Sequence, residues 1–300
     1  MPLCVVGSVA LDSVETPSEK RDNVLGGSAV FFSYAASFFT TVRLAGVVGD
    51  DWPAANTAML QARGIDTAAL QVVRGGKTFR WRGKYLPNMN DRETLDLQLN
   101  VLEQFDPVLP EAYRRSKFLF LANGSPVLQM KVLDQCAGAS LVVADTMDHY
   151  IRTEPEALGR LLKRIDGLVI NDSEAKLLTG DDNLVRGGKA IRAMGPSFVV
   201  VKKGEHGALF FGQHETYVLP AYPTSTVVDP TGAGDSFAGG MMGYLAERGC
   251  FDPKTLKTAL AYGTLAASFT VEDFSLDRLR KISRDDIDRR MEEYRRMLNF

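Results

Sequence analysis

The sequence has few cysteines and histidines, the residues from which disulfide frameworks and zinc sites are built. Three cysteines, Cys4, Cys136 and Cys250, lie far apart without a CxxC spacing, and the three histidines show no metal-ligand spacing. This scarcity argues against a disulfide scaffold or a structural zinc ion. It suits a protein of the reducing cytoplasm.

The chain also lacks a strong net charge and long apolar runs. Its formal net charge is −2 over 300 residues, so no global field attracts nucleic acid or an anionic membrane. No apolar run approaches the roughly 20 residues that a membrane-spanning helix needs. Met1–Val9 has no basic segment of the kind that begins a signal peptide. We therefore expect a cytoplasmic protein with neither a nucleic-acid nor a membrane partner.

Two common phosphate-binding motifs are missing. Gly76-Lys77-Thr78 resembles the end of a Walker A loop, but Gln71 stands where that motif requires its first glycine. No G-x-G-x-x-G follows the first predicted strand, which argues against a Rossmann dinucleotide site. Phosphate chemistry, if the chain performs it, must depend on a different loop.

Strand-like and helix-like segments alternate along most of the chain. Apolar runs typical of strands buried on both faces occur at Leu3–Gly7, Val42–Val48, Phe118–Ala122, Leu141–Ala144, Gly167–Ile170 and Phe198–Val201. Helical spacing marks Ser28–Phe39, Val127–Cys136, Glu154–Arg164, Leu184–Met194, Asp235–Arg248, Pro253–Phe269 and Arg284–Leu298. This alternation predicts a mostly parallel sheet with helices on both faces. No linker interrupts it, so we expect a single α/β domain over residues 1–300.

One region breaks the alternation. Leu70–Val73 and Thr78–Leu86 have the pattern of two antiparallel strands joined at Arg74-Gly75-Gly76. Together with the polar tract that follows Asp12, this predicts a small β-sheet built from segments at about 12–24 and 70–100. Such a sheet would suit a lid that excludes water from a reactive site. The ordinary structural alternative is an edge hairpin without a function.

The segment Asp229–Ser236, with the sequence DPTGAGDS, carries the most specific chemistry of the chain. Its small residues Gly232, Ala233 and Gly234 allow a sharp turn at the start of a helix, where backbone amides and the helix dipole favour an anion. Asp235 places a carboxylate beside that anion site. It is either an ordinary helix cap or a base that takes a proton from a group attacking a bound phosphate.

Four further groups of residues gain meaning beside this loop, although each has an ordinary structural explanation as a cap, a turn or a packing contact. Asp12 follows the first strand, at the edge where an open parallel sheet binds its ligand, and Gly26-Gly27 allows close approach before a helix. Asn171 and Glu174 lie three residues apart at a helix start and could face a hydrated cation. Lys202, Gly204 and Gly207 combine positive charge with an open turn.

Read together, these segments resemble the ribokinase-like, or PfkB, family of small-molecule kinases. The strongest match is Asp229–Gly240, DPTGAGDSFAGG, which is similar to the C-terminal signature of the family. Gly26-Gly27-Ser28-Ala29, Gly46–Asp51 and Asn171-x-x-Glu174 match further landmarks in the expected order. The resemblance implies a three-layer α/β/α domain with a mostly parallel central sheet and a β-sheet lid. It also implies ATP and Mg²⁺ as cofactors and an alcohol group as phosphate acceptor.

The resemblance also implies roles for individual residues. Asp235 is the expected catalytic base, and the amides of Gly232, Ala233 and Gly234 form the expected anion hole. The remaining roles are nucleotide contacts at Lys202, Gly204, Gly207 and Thr231, substrate contacts at Asp12, Gly26 and Gly27, and Mg²⁺ contacts, through water, at Asn171 and Glu174. Asp229 and Thr231 lie where some members bind K⁺, and members of the family often dimerise through the lid.

Two departures from the family pattern bear on the acceptor. Phe31 occupies the position of a substrate-binding asparagine, and Asn123 follows a strand that often supplies a glutamate. We predict that both face the substrate. Phe31, Phe79 and Trp81 either form an aromatic wall for a nucleobase or simply pack the lid against the body. The acceptor is thus a sugar, a sugar phosphate or a nucleoside, with sugars favoured. A ligand-binding homologue without catalysis is disfavoured because the Asp235 loop is intact.

Overall fold

The computed structural model describes residues 1–299, which form thirteen β-strands and eleven α-helices. The strands are β1 (Leu3–Val6), β2 (Ala10–Glu15), β3 (Lys20–Gly26), β4 (Val42–Gly49), β5 (Asp66–Val73), β6 (Arg80–Tyr85), β7 (Arg92–Gln98), β8 (Phe118–Leu121), β9 (Leu141–Asp145), β10 (Gly167–Asn171), β11 (Phe198–Lys202), β12 (Ala208–Phe211) and β13 (Thr216–Leu219). The helices are α1 (Ser28–Ala36), α2 (Ala54–Ala62), α3 (Glu111–Arg114), α4 (Pro126–Gln135), α5 (Asp148–Thr153), α6 (Pro155–Leu162), α7 (Asp172–Thr179), α8 (Leu184–Ala193), α9 (Ala233–Arg248), α10 (Pro253–Thr270) and α11 (Arg284–Leu298). Among the helices within these residues, none is long and apolar enough to cross a bilayer.

Nine strands form a large sheet in the order β13-β12-β11-β10-β9-β8-β1-β4-β5. The pairings from β11 through β5 are all parallel, whereas β12 and β13 add two antiparallel pairings at one edge. The apolar run of β9 is buried along its whole length, as expected for a strand covered on both faces. The predicted, mostly parallel sheet is confirmed.

Helices cover both faces of the large sheet and make the fold a three-layer α/β/α sandwich. Side chains of β1 alternate between two apolar clusters, with Leu3 and Val5 in one and Cys4 and Val6 in the other. The first cluster holds residues of α1, α9, α10 and α11. The second holds residues of α4, α6 and α8. Because a strand directs successive side chains to opposite faces, these two clusters are the two faces of the sheet.

A small sheet of four strands, in the order β3-β2-β6-β7, stands beside the main body. Its β2–β6 pairing is parallel, and its other two pairings are antiparallel. The predicted hairpin between Leu70–Val73 and Thr78–Leu86 is wrong, because β5 pairs in parallel with β4 in the large sheet while β6 lies in the small one. The turn at Gly75 therefore carries the chain from one sheet to the other. The apolar residues of β5 extend the large sheet, a contact that the local pattern does not reveal.

The side-chain amide of Gln129 on α4 ties the ends of two strands together. Its Nε2 donates to the carbonyl oxygens of Leu121, Ala122 and Asp145 at 3.1, 3.1 and 3.0 Å. Gln129 is 1% exposed, so water cannot replace these bonds at low cost. One buried amide thus fixes where β8 and β9 end.

We predict that Gln129→Met lowers the free energy of unfolding by about 2–4 kcal/mol, because it leaves buried carbonyl oxygens without their donor. Urea denaturation of the purified protein measures this change. Gln213→Met, in the exposed turn between β12 and β13, is the matched control and should change stability by less than about 0.5 kcal/mol. Equal stability of the two variants would contradict the role of Gln129.

Candidate active site

The turn before α9 exposes backbone amides at the start of a long helix. Gly232 has φ 74°, and a Cβ atom at this position would overlap the ring of Phe31. The amide of Ala233 donates to the carbonyl of Pro230 at 3.1 Å. Within residues 1–299, the amides of Gly232, Gly234 and Asp235 donate to no acceptor. Of the three predicted amides, the structure therefore leaves those of Gly232 and Gly234 available, and it adds that of Asp235.

Phe31 supports this turn from inside the protein. Its side chain is 2% exposed, and its ring lies directly against Gly232. Phe31, Phe79 and Trp81 belong to three separate apolar clusters. The three rings thus pack different parts of the molecule rather than forming one wall. A contact between Phe31 and a substrate stays a prediction.

Asp235 lies in the first turn of α9, in a recess that leaves part of its surface open. Burial and the neighbouring carboxylate of Asp145 raise its pKa to about 7, against the lowering effect of Lys202 and Arg92. A carboxylate with a pKa near neutrality is a better proton acceptor than an exposed aspartate and is still largely ionised at slightly alkaline pH. The position combines a base with the amides of an anion site.

Sequence reasoning missed two charged residues near Asp235. Asp145 is the last residue of β9 and is 4% exposed. Like Asn171, Asp145 is a polar residue at the carboxyl end of a buried strand, and this pattern could have identified it. Arg92 starts β7 and lowers the pKa of Asp235 and Glu174. No local motif marks Arg92, because only the pairing of β6 with β7 brings it to the site.

Lys202, a predicted nucleotide contact, is the last residue of β11 and lies among carboxylates. Its Nζ is 3.5 Å from Oδ2 of Asp145, and its side chain is 16% exposed. Burial opposes its charge, but the carboxylates of Asp145, Glu174 and Asp235 outweigh burial and raise the pKa of Lys202. Lys202 therefore carries a positive charge at the centre of an acidic site.

Asn171 and Glu174, the predicted Mg²⁺ contacts, form a reciprocal capping box at the start of α7. The side chain of Asn171 accepts the amide of Glu174 at 2.8 Å, and Glu174 Oε2 accepts the amide of Asn171 at 2.9 Å. The capping explanation is therefore correct, whereas ligation of a metal stays a prediction. Glu174 is 6% exposed, and burial together with Asp145 raises its pKa to about 7.

Asp12, a predicted substrate contact, lies on β2 of the small sheet and is 5% exposed. Its Oδ1 is buried and has no hydrogen-bond partner. Burial raises its pKa to about 7, against the backbone amides of Gly27 and Trp81. A Cβ atom at Gly26 would overlap the Asp12 carboxylate. Gly26 thus makes room for a carboxylate whose Oδ1 has no protein partner, and its contact with a substrate stays a prediction.

The face of the small sheet that carries Asp12 looks toward the α9 turn, and we call it the inner face; its residues are Asp12, Val14, Trp81, Tyr85 and Arg92. The pairing registers place these residues on one side, and Thr231 Oγ1 donates to Tyr85 Oη at 3.3 Å. Arg80 and Arg82 belong to the opposite, outer face. They pair there with Asp51 at 2.7 Å and Asp22 at 3.4 Å, respectively.

Asp229, the predicted monovalent-cation contact, is 1% exposed. Its Oδ1 accepts the amide of Thr231 at 2.9 Å, whereas its buried Oδ2 has no partner. Burial raises the pKa of Asp229 to about 6. Thr231 itself lies between Asp229 and Tyr85 of the small sheet.

The predicted nucleotide turn at Gly204–Gly207 follows β11 as a short 3₁₀ turn and touches the small sheet. Gly204 and Gly207 have φ 54° and 78°, and a Cβ atom at Gly207 would overlap the carbonyl of Leu219. Packing alone therefore requires glycine at that position. A Cβ atom at Gly204 would overlap Asn90, whose Nδ2 donates to Glu205 at 2.9 Å. The loop between β6 and β7 thus reaches across to this turn.

Asn123, the last predicted substrate contact, follows β8 with its Nδ2 3.1 Å from Met147 Sδ. Its buried Oδ1 has no partner. The carboxyl ends of β8, β9, β10 and β11, the α9 turn and the inner face therefore line one cleft. Within residues 1–299, no three His, Cys, Asp or Glu side chains converge as a metal site.

A comparison with protein families agrees with this geometry. The pattern of the pfkB family carbohydrate kinase matches residues 3–279. The chain belongs to the pfkB family of carbohydrate kinases. As a pfkB kinase it is a phosphotransferase that acts on a hydroxyl group.

Known relatives place this pfkB kinase among proteins with several acceptors. It is 27% identical to a cytidine kinase of Thermococcus kodakarensis over 81% of this chain and 87% of that one. In fold it is similar to a nucleoside kinase of Burkholderia thailandensis in complex with inosine, with a TM-score of 0.82, 21% identity and coverage of 97% and 98%. An Escherichia coli protein described as a ribokinase II, in complex with ATP and Mg²⁺, gives a TM-score of 0.79, 18% identity and coverage of 97% and 99%.

The raised carboxyl pKa values predict that this pfkB kinase, without ligands, becomes more stable as the pH falls from 8 to 5. The pKa is raised to about 7 for Asp12, Glu174 and Asp235 and to about 6 for Asp229. Between the lower unfolded-state values and these folded-state values, the folded protein binds more protons, so acidification stabilises it and rising pH removes that stabilisation.

Asp235→Asn should therefore stabilise the unliganded protein at pH 8 by about 1–2 kcal/mol and reduce the dependence of stability on pH. Urea denaturation at several pH values measures both effects. Glu103→Gln, at an exposed position, serves as control and should leave the pH dependence unchanged. A less stable Asp235→Asn variant at pH 8 would contradict the raised pKa.

Proposed function

We propose that this pfkB kinase transfers the γ-phosphoryl group of ATP to an alcohol, typically a hydroxymethyl group, of a small sugar-like substrate. The observation that carries the proposal is the position of Asp235, a carboxylate in the first turn of α9 beside amides that donate to no protein acceptor. An anion site and a base in one turn suit an acceptor hydroxyl that attacks a bound phosphate.

The protein residues divide the reaction between them. Asp235 accepts the proton of the attacking hydroxyl, because its raised pKa matches general-base catalysis near neutral pH. Asp12 orients the substrate through its unpartnered Oδ1. The amides of Gly234 and Asp235 stabilise the charge on the phosphoryl group, the main task of a protein in phosphoryl transfer.

The donor side fits ATP with Mg²⁺. Lys202 and the turn at Gly204 supply positive charge and an open backbone beside the anion site. Since no three acidic side chains within residues 1–299 are arranged as a metal site, Mg²⁺ would need ligands beyond the protein's own side chains. Mg²⁺ is usually held by one or two carboxylates together with phosphate oxygens, and Glu174, with Asn171 beside it, would hold it in this way. Bound Mg²⁺ supplies charge neutralisation of the phosphates.

A nucleoside acceptor is the second candidate. The similarity to a cytidine kinase and to a nucleoside kinase bound to inosine favours it. A ligand-binding protein without catalysis is a weaker candidate, because the Asp235 turn, Lys202 and Asp12 are all in place in the cleft.

We also propose that Asp229 binds a monovalent cation. Its buried, unpartnered Oδ2 suits a cation such as K⁺. Measuring the reaction rate after potassium is exchanged for sodium tests this site. A groove of about 440 Å³ on the outer face is lined by Arg80, Arg82, Asp22 and Asp96. Side chains of both charges support a homodimer formed through the lid. Analytical sedimentation tests this oligomeric state.

The few cysteines support a cytoplasmic location.

Acceptor-dependent release of ADP across sugars, sugar phosphates and nucleosides tests the function. Asp235→Asn should lower kcat roughly 10²–10⁴-fold, while calorimetry shows ADP binding unchanged. Turnover of a nucleoside alone selects the second candidate. Tight binding of one compound without turnover selects the non-catalytic protein, and near-normal turnover of Asp235→Asn removes Asp235 from the role of base.

Glu174→Gln tests the proposed Mg²⁺ contact without disturbing the start of α7, because glutamine also serves in a capping box. We expect the Mg²⁺ concentration for half-maximal rate to rise about 10-fold or more. Asp172→Asn, in the same helical turn, is the matched control and should leave that concentration unchanged. An unaltered magnesium titration of Glu174→Gln would remove Glu174 from the site.

A further inference from the structure

Asp145 is a buried carboxylate that the reaction outlined above leaves without a role. Its Oδ1 accepts the backbone amide of Thr146 at 2.7 Å, and its Oδ2 lies 3.5 Å from Nζ of Lys202. Asp145 ends β9 and Lys202 ends β11, with β10 between them. The two side chains therefore reach toward each other across the end of a strand. Gln129 donates a hydrogen bond to the Asp145 carbonyl, so the backbone that carries this carboxylate is fixed in place.

The Lys202 ammonium lies against the anion-binding turn. A Cβ atom on Gly234 would stand 2.8 Å from Lys202 Nζ. Gly234 lies within α9 and does not have a positive φ, so backbone conformation does not require glycine there. The space that a side chain would take is occupied by the ammonium. Lys202 thus places its charge directly beside the amides of Gly234 and Asp235.

The Lys202 side chain needs a partner that holds its ammonium beside Gly234. A lysine side chain has four carbons and many rotamers, and fixing one rotamer costs conformational entropy. Within residues 1–299, Asp145 is the one carboxylate within 4.0 Å of Lys202 Nζ. An ammonium has three donors, so this contact leaves donors for a phosphate oxygen.

We propose that Asp145 is a positioning residue that holds the Lys202 ammonium against Gly234, where Lys202 contacts the phosphoryl group in transfer. The inference rests on the proposed function. In the step, the acceptor oxygen forms a bond to the γ-phosphorus and its proton goes to Asp235. The bond from the γ-phosphorus to the bridging oxygen breaks, and its electron pair leaves with ADP. Lys202 exchanges no proton and contributes charge alone, and Asp145 contacts neither substrate.

Asp145→Asn, Lys202→Met and the double variant test this role in the full-length protein with the acceptor that the panel identifies. Asp145→Asn should lower kcat about 10–100-fold and change the KM of the acceptor by less than about 3-fold. The double variant should be no slower than Lys202→Met, because the two residues act as one unit. Asp166→Asn is the control. Its Oδ2 accepts the amide of Val142 at the far end of the same strands, and its kcat should stay normal.

Calorimetry gives a readout that is independent of turnover. With Mg²⁺ present, Asp145→Asn and Lys202→Met should each bind a non-hydrolysable ATP analogue about 10-fold more weakly, and ADP within about 2-fold of the original chain. If Asp145→Asn does not fold, Asp145→Ser, which also lacks the carboxylate, takes its place in both measurements. Equal weakening of ADP and the analogue, additive losses in kcat, or a normal kcat in Asp145→Asn would overturn the assignment. An original chain that turns over no acceptor would instead overturn the proposed function.

Discussion

The parallel pairing of the central strands is the constraint on which the rest of this protein depends. Strands β8, β9, β10 and β11 all end at one edge of the sheet, and each delivers a polar residue there within two positions of its end. The same topology brings the first turn of α9 to that edge. Such a cleft lined by polar residues follows from the topology itself, because an open sheet of parallel strands with right-handed crossovers has a crevice at the carboxyl ends of its strands.

The charges in the cleft are not balanced when no ligand is bound. Three carboxyl groups with raised pKa values, those of Asp145, Glu174 and Asp235, lie around Lys202 and Arg92, so the unliganded site stores unfavourable charge. This arrangement costs folding stability, as functional sites commonly do. Phosphates alone would add to the repulsion. A divalent cation bound with them would reverse this repulsion, which explains why an acidic site can suit an anionic donor.

Much of the fold could be predicted from the sequence, because continuous apolar runs mark buried strands and helical spacing marks the layers that cover them. The signature around Asp235 likewise predicted its place beside a helix start. The hairpin at Gly75 could not be predicted correctly, since strand partners are chosen by long-range packing rather than by local pattern. Asp145 and Arg92 were missed because their importance arises from neighbours more than 50 residues away, such as Lys202 and Asp235. The capping role of Asn171 was one of the two alternatives that the sequence left open.

The contact of Asn90 with Gly204 and Glu205 joins the small sheet to the turn that follows β11. The loop that carries Asn90 belongs to the small sheet, which the proposed function puts over the acceptor, and the turn at Gly204 follows β11, where the proposed function puts the nucleotide. Any ligand that alters the free energy of this contact changes the affinity for the other ligand by the same factor, because such coupling is reciprocal. Under the proposed function, binding of the acceptor and binding of the nucleotide would therefore be linked thermodynamically through this contact.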